Sequence, residues 1–240
     1  MSTLSEASPA ILFTGRFGSG KTEVALNYGR SLVQGGAPAA GAVTDSDDSA
    51  PVILIDLDIV TPYFRSREMA ERFAEYGLKI VAPSVIGQHL DTPAITPQIL
   101  GAIERPDRRV VLDVGGDKQG ARALGQYSGA IGRRGYVMHF VVNPYRPFTS
   151  TLEGLADSIS EIEESSRLKV TDLVSNPNLI AETKAKHILH GHELVESFAQ
   201  ALQLPIAFVC LERNWADRVG HSPFSQPMLV LDRSFVQPWE

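Results

Sequence analysis

The chain has 240 residues, of which 43% are hydrophobic and 21% are charged, and its formal net charge is -6. This length suits one large α/β domain and is short for two, so we expect a single domain over residues 1–240. The acidic balance disfavours binding to nucleic acid or to anionic membranes. Cys210 is the only cysteine, which excludes an internal disulfide. Because the sequence also shows no signal-like or membrane-spanning segment, we expect a cytoplasmic protein.

Short apolar runs alternate with segments of helical spacing along the chain. This pattern is typical of a mostly parallel sheet with helices on both faces. We predict strands at Ala10–Thr14, Val52–Asp56, Lys79–Ala82, Arg109–Val114, Tyr136–Val142, Lys169–Val174 and Ile206–Leu211, with Met228–Asp232 as a further edge strand. The helices predicted between them are Lys21–Gln34, Phe64–Tyr76, Pro97–Ile103, Gly120–Ile131, Thr149–Ser166 and Glu193–Leu202.

Residues 35–51 show no apolar periodicity and are rich in Gly, Ala, Ser and Asp. They are predicted to form a flexible surface insertion, with Asp45, Asp47 and Asp48 at its solvated tip. A metal site at these acids is the alternative, although a mobile loop would first have to be ordered.

The motif GRFGSGKT, residues 15–22, fits the pattern G-x-x-x-x-G-K-[ST] and stands between a predicted strand and a predicted helix. Its glycines allow consecutive backbone amides to point at phosphate oxygens, and the helix that follows adds the positive end of its dipole. Lysine and threonine at the last two positions are suited to the β and γ phosphates and to Mg²⁺. We expect phosphate binding by Gly15, Phe17, Gly18, Ser19, Gly20, Lys21 and Thr22.

Two other predicted strands end in carboxylates, where a phosphate site in a parallel sheet requires them. In VVLDVGGD, residues 110–117, Asp113 is predicted to support Mg²⁺, and Gly116 belongs to a loop that can approach the γ-phosphate. In VILIDLD, residues 52–58, alternation places Asp56 and Asp58 on the same side of the strand. We assign Asp58 to the attacking water and Asp56 to the metal site. An Asp–Gly turn after a strand is the alternative explanation of the first motif.

These motifs together resemble the MinD/ParA-like branch of the SIMIBI P-loop ATPases. The stretches IDLDIVTPYFRSRE, DVGGD, VVNPYRPFT and SNPNL are similar, more narrowly, to a little-characterised set of bacterial ATP-binding proteins in that branch. The resemblance covers nearly the whole chain. It implies a three-layer P-loop NTPase fold with a mostly parallel central sheet.

The resemblance also implies roles for two further residues. Arg16 occupies the position at which the branch usually has a lysine that reaches the partner's phosphates in a nucleotide-sandwich dimer, so it is a candidate catalytic finger. Asn176 follows a late strand, where the branch often has an asparagine that contacts adenine. The alternatives are a variable loop position for Arg16 and an Asn–Pro turn for Asn176.

The sequence therefore predicts an Mg²⁺-dependent ATP-binding protein, a slow ATPase that acts as a conformational or dimerisation switch. A nucleotide-dependent homodimer and an unidentified protein partner are expected, with no nucleic-acid or membrane partner. Two alternatives remain: a small-molecule kinase whose acceptor site would use Arg65, Arg67 or Arg146, and a non-hydrolysing ATP-binding interaction module. ATP is favoured over GTP because no [NT]KxD motif is present.

The sequence KHILHGH contains His187, His190 and His192. Gly191 is predicted to break the helix between the last two, so a solvated helix end is favoured over a metal site. Cys210 lies in a predicted apolar strand, which favours a buried thiol.

Overall fold

A computed structural model of the chain describes residues 8–35, 52–58, 73–74, 76–82, 96–219 and 223–233. Eight strands in this part of the chain form one sheet in the order β3-β2-β4-β1-β5-β6-β7-β8, and all neighbouring pairs are parallel. The strands are β1 (Ala10–Thr14), β2 (Val52–Leu57), β3 (Leu78–Val81), β4 (Arg109–Val114), β5 (Tyr136–Val142), β6 (Asp172–Ser175), β7 (Ile206–Glu212) and β8 (Met228–Leu231).

The helices are α1 (Lys21–Val33), α2 (Pro97–Glu104), α3 (Lys118–Gly125), α4 (Ser128–Arg134), α5 (Leu152–Ser166), α6 (Ala185–Leu202) and α7 (Arg213–Val219). Short 3₁₀ turns lie at Pro147–Thr149 and Ile180–Glu182. No described helix combines the length and the apolar character that a membrane crossing requires.

Side-chain alternation along the strands divides the core into two clusters. In β1, Leu12 belongs to a cluster that includes residues of α2 to α6, whereas Phe13 belongs to a cluster that includes residues of α1. Both faces of the central strands are therefore covered, which explains why these strands are apolar runs rather than alternating sequences. The predicted α/β, three-layer architecture with a parallel sheet is confirmed.

The predicted strands are confirmed with small shifts in their ends. β6 begins at Asp172 rather than Lys169, because the Val170 N–H donates to the Glu163 side chain at 2.9 Å instead of to a neighbouring strand.

Several predicted helix boundaries were wrong. The segment Gly120–Ile131 forms two helices, α3 and α4, and Gly125 at the end of α3 lies so close to α5 that an added Cβ would be 2.9 Å from the Ser165 carbonyl oxygen. α5 begins at Leu152, where the Thr151 side chain accepts the Gly154 N–H, so Thr149 belongs to the preceding 3₁₀ turn. Helix α7 was not predicted.

Two predictions lie outside the described residues: nearly all of the helix Phe64–Tyr76, and the insertion after Gly35 with Asp45, Asp47 and Asp48. Arg65 and Arg67 also lie outside them.

Gly191 does not break a helix, in contrast to the prediction. It lies inside α6, where an added Cβ would be 2.5 Å from Pro177 and 3.1 Å from Tyr145. Its small size lets α6 pack directly against the loops that follow β5 and β6. The packing of a long helix outweighs the roughly 1 kcal/mol that glycine costs in a helix interior.

We predict that Gly191→Ala lowers the free energy of unfolding by about 1–3 kcal/mol, because a proline ring cannot turn away from the new methyl group. The matched control is Gly101→Ala in α2, where an added Cβ meets nothing within 4 Å. This control should be neutral or stabilising by up to about 1 kcal/mol. Urea denaturation followed by circular dichroism measures both, and equal stabilities of the two variants would contradict the packing role of Gly191.

Candidate functional site

The phosphate loop, residues 15–22, connects the carboxyl end of β1 to the first turn of α1. Three of its glycines, Gly15, Gly18 and Gly20, have φ values of 150°, 79° and 86°. Gly20 precedes α1 in a left-handed conformation, and an added Cβ would lie 2.5 Å from the Asn176 amide nitrogen. The loop therefore has the backbone form expected of a phosphate cradle, with the amino end of α1 facing the site.

Parallel pairing aligns the strands that carry the acids. Phe13 of β1 pairs with Asp113 of β4, and Asp113 pairs with Asp56 of β2. The residues after these three strands consequently meet at one edge of the sheet, beside the phosphate loop.

Asp113 and Thr22 are in direct contact. The Thr22 hydroxyl donates to Asp113 Oδ2 at 2.7 Å, while Asp113 Oδ1 is buried without a hydrogen-bond partner in the described part of the chain. Burial raises the pKa of Asp113 from its usual 3.8 to about 6, although Lys21 and the Thr22 hydrogen bond oppose the change. An unpartnered buried carboxylate oxygen beside a threonine hydroxyl fits a hard divalent cation such as Mg²⁺, whose ligands are oxygens.

Lys21 forms a buried ion pair with Asp58. The Nζ–Oδ2 distance is 2.7 Å, and the side chains are only 11% and 4% exposed. Burial would lower the pKa of Lys21, but the charges of Asp113, Asp58 and Asp56 raise it above its usual value. Asp56 Oδ1 accepts the Asp58 backbone N–H at 2.9 Å, so Asp56 holds the backbone of Asp58 in place.

Gly116 packs against the phosphate loop. A Cβ on this residue would lie 2.0 Å from the Gly15 carbonyl oxygen, so only glycine allows the two loops to approach this closely. The neighbouring Gly115 lies beside Asp58, with 3.6 Å between an added Cβ and Asp58 Oδ1. The loop after β4 therefore contacts both the phosphate loop and the predicted water-orienting acid.

Arg16 points to helix α5. Its guanidinium donates to Glu161 at 2.7 Å, to the Ser158 hydroxyl at 2.9 Å and to the Gly116 carbonyl at 3.3 Å, and it lies over the Phe148 ring. These partners on α5 are more than a hundred positions away in the sequence, and no local pattern could have identified them. In this structure Arg16 joins the phosphate loop, the Gly116 loop and α5.

Asn176 supports the phosphate loop from the opposite side. Its side-chain amide donates to the Ser19 carbonyl at 2.7 Å. The Asn178 side chain donates to the backbone carbonyl of Asn176, and the Asn143 side chain donates to the backbone carbonyl of Asn178. Asn143 was not predicted, although β5 and β6 are both followed by an Asn–Pro pair, and this repeated dipeptide is the sequence signal that could have identified it. Arg146 also lies here, with its Nε donating to the Gly18 carbonyl at 3.1 Å.

The exposed Phe17 and the other residues of 16–22 in the phosphate loop line one end of a cavity of about 240 Å³. Side chains from beyond β6 and β7 line the other end, and most are apolar: Ile180, Ile188, Leu211, Trp215 and Leu231. Asn178, Thr183 and Glu212 add polar groups. The sequence did not identify this second end, because its residues come from helices, strands and loops that meet only in the folded chain.

The three histidines do not converge. His187 accepts the Lys184 N–H at the start of α6, His190 is exposed, and His192 is buried between Ser175 and Gln226. No group of three metal-ligating side chains that could hold an ion occurs among the described residues. Cys210 is buried and free, as predicted, and burial raises the pKa of its thiol.

Comparison with solved structures shows the class of fold. Chloroplast FtsY from Physcomitrella patens matches with a TM-score of 0.53 and 18% identity over 86% of this chain and 60% of its own. Cell division protein FtsY from Thermotoga maritima matches with a TM-score of 0.51 and 15% identity over 86% of this chain and 63% of its own. The chain thus spans about three fifths of the length of these proteins.

The chain has an α/β, P-loop NTPase-like fold similar to that of these FtsY structures, and the likeness does not single out the MinD/ParA-like branch. A scan against protein-family models finds no match, and a search of curated proteins finds no relative.

We predict that Asp113→Asn stabilises the metal-free protein by about 1–3 kcal/mol at about pH 7. The folded-state pKa of about 6 lies above the usual 3.8, so the contribution of Asp113 to the stability of the wild type falls as the pH rises through this window. The gain from the substitution should therefore be small near pH 4 and reach its maximum above about pH 6.

Urea denaturation in EDTA at a series of pH values measures this gain. The control is Asp107→Asn, which makes the same change in net charge at an exposed position just before β4, at the opposite end of that strand from Asp113. A gain for Asp113→Asn that does not vary with pH would show that burial of the charged carboxylate is not its cause.

Proposed function

We propose that the chain binds a magnesium nucleoside triphosphate, ATP in preference to GTP, and hydrolyses it slowly as a nucleotide-driven switch. The observation that carries this proposal is the meeting of the phosphate loop, the Thr22–Asp113 pair and Asp58 at one edge of the sheet. An anion-binding loop beside a buried, unpartnered carboxylate oxygen is suited to a triphosphate together with its metal.

Each part of the site has a defined task in this proposal. The amides of residues 18–22 and the amino end of α1 hold the phosphates, and Lys21 contacts the β and γ groups. Thr22 and Asp113 hold Mg²⁺. Asp56, the other acid predicted for the metal site, accepts the Asp58 backbone N–H and so positions Asp58. Bound Mg²⁺ supplies positive charge that stabilises the transferring phosphoryl group. Asp58 orients the attacking water.

The second end of the cavity is assigned to the nucleotide base. Trp215 and the aliphatic side chains around it offer an apolar surface to a planar ring, and Asn176 lines the same cavity. Part of the Asn176 amide is already used by the Ser19 carbonyl, so its contact with adenine is through the remaining oxygen or the second N–H. The absence of an [NT]KxD motif supports ATP over GTP.

Arg16 supports the switch. It contacts the phosphate loop's neighbour Gly116 and helix α5 at the same time, so a change at the phosphates is passed to the surface of α5 when these contacts rearrange. The resemblance to the MinD/ParA-like branch adds a nucleotide-dependent homodimer, in which Arg16 leaves Glu161 and reaches the partner's phosphates.

The test is release of ADP from purified protein supplied with Mg-ATP. We predict that Lys21→Ala and Asp58→Ala each reduce turnover by about a hundredfold or more, because each removes a charged group beside the reacting phosphate. Lys169→Ala and Asp107→Ala are matched controls, since both side chains are exposed, and they should keep wild-type turnover.

Light scattering on the same samples follows the oligomer, and ATP-dependent dimers that persist in Asp58→Ala support the switch. Tight ATP binding without turnover or change of mass would contradict it and favour an interaction module. ADP release that requires an added acceptor would identify a kinase.

A second prediction concerns the base. Trp215→Ala should weaken binding of ATP about tenfold or more and leave binding of inorganic triphosphate unchanged, because stacking on an aromatic ring contributes about 1–3 kcal/mol. Competition calorimetry with the two ligands measures the difference. Equal losses for both ligands would remove Trp215 from the base site.

A further inference from the structure

Both cationic side chains of the phosphate loop are already paired with carboxylates. Lys21 contacts Asp58 at 2.7 Å, and Arg16 contacts Glu161 at 2.7 Å. The Lys21–Asp58 pair is the more buried of the two, with exposed fractions of 11% and 4% against 14% and 30%. Because water is excluded from such a pair, its attraction is weakly screened. A phosphate that binds Lys21 therefore competes with a strong existing contact.

Among the residues that the structure describes, the charges around Lys21 sum to a negative value. Asp56, Asp58 and Asp113 are all buried and lie around the one ammonium group of Lys21, whose pKa they raise. A triphosphate that arrives without a metal ion adds further negative charge to this group. Asp58, whose carboxylate is in direct contact with Lys21 Nζ, competes most strongly with the triphosphate for this ammonium group.

We propose that Asp58 is an internal competitor of the γ-phosphate: it holds Lys21 until a triphosphate takes its place. The inference rests on the proposed function, since it describes how the same site is regulated. Entry of the triphosphate transfers Lys21 from the Asp58 carboxylate to phosphate oxygens. The same event releases Asp58 from its cation.

This exchange ties the activity of Asp58 to occupancy of the site. A carboxylate oxygen that already accepts from an ammonium group is less available to accept a hydrogen bond from water, and it becomes more available when the ammonium group moves away. Asp58 Oδ1 already lies beside the loop at Gly115, so the released carboxylate faces the loop that approaches the γ-phosphate. Water is thereby oriented only when a triphosphate is present.

The experiment measures equilibrium binding of ATP in EDTA, using calorimetry on the full chain. We predict that Asp58→Asn binds metal-free ATP about tenfold more tightly than the wild type, because the neutral amide competes weakly for Lys21. The gain should disappear when Lys21→Met is present in both proteins of the comparison. Asp107→Asn, which changes the net charge equally at an exposed site, should show no gain.

Thermal unfolding of each variant confirms that it is folded before binding is measured. A folded Asp58→Asn protein that binds metal-free ATP no better than the wild type overturns the competitor role, as does a gain that persists without Lys21. The wild type is also titrated with Mg-ATP. If the wild type binds Mg-ATP but Asp58→Asn shows no gain for metal-free ATP, only this inference is contradicted. If the wild type does not bind Mg-ATP, the proposed function is contradicted as well.

Discussion

The pairing of β1 with β4, and of β4 with β2, is the constraint on which the site depends. This register places Asp113 next to Phe13 and Asp56 next to Asp113. The loops after the three strands then reach the same edge of the sheet, and Gly116 lies against the Gly15 carbonyl. A shift of one residue in β4 or β2 would turn the carboxylate of that strand to the opposite face. The buried apolar neighbours of these acids, such as Leu112 and Ile55, fix the register by filling the core.

Support from the other side of the phosphate loop completes the cradle. Asn176 binds the Ser19 carbonyl, and the loops after β5 and β6 are held together by Asn143. Helix α6 presses on these loops at Gly191, where Pro177 leaves no space for a larger residue. The phosphate loop is thus fixed between the acid-bearing strands and an asparagine network. Arg16 links it to α5, and the packing of Gly191 against Pro177 links the network to α6.

Much of the architecture was predictable, because the strands are apolar runs whose burial on both faces leaves a simple pattern. The positions of the phosphate loop between β1 and α1 and of Asp113 near the end of β4 were predictable for a similar reason, since each is next to or within an apolar strand. The ends of helices were less predictable. The effect of Gly191 depends on the residues that pack against it, and the start of α5 is set by Thr151 rather than Thr149. The partners of Arg16 and the Trp215 end of the cavity arise only from long-range contacts, which the sequence does not encode locally.

In the proposed exchange, binding of a triphosphate at this edge of the sheet moves Lys21 from Asp58 to the phosphate oxygens. A crystal structure with Mg²⁺ and a non-hydrolysable ATP analogue would show this exchange directly. We expect a triphosphate on the amides of residues 18–22, Lys21 Nζ on phosphate oxygens, and no contact between Lys21 and Asp58. An analogue bound with the Lys21–Asp58 pair intact, or bound away from the phosphate loop, would contradict the exchange.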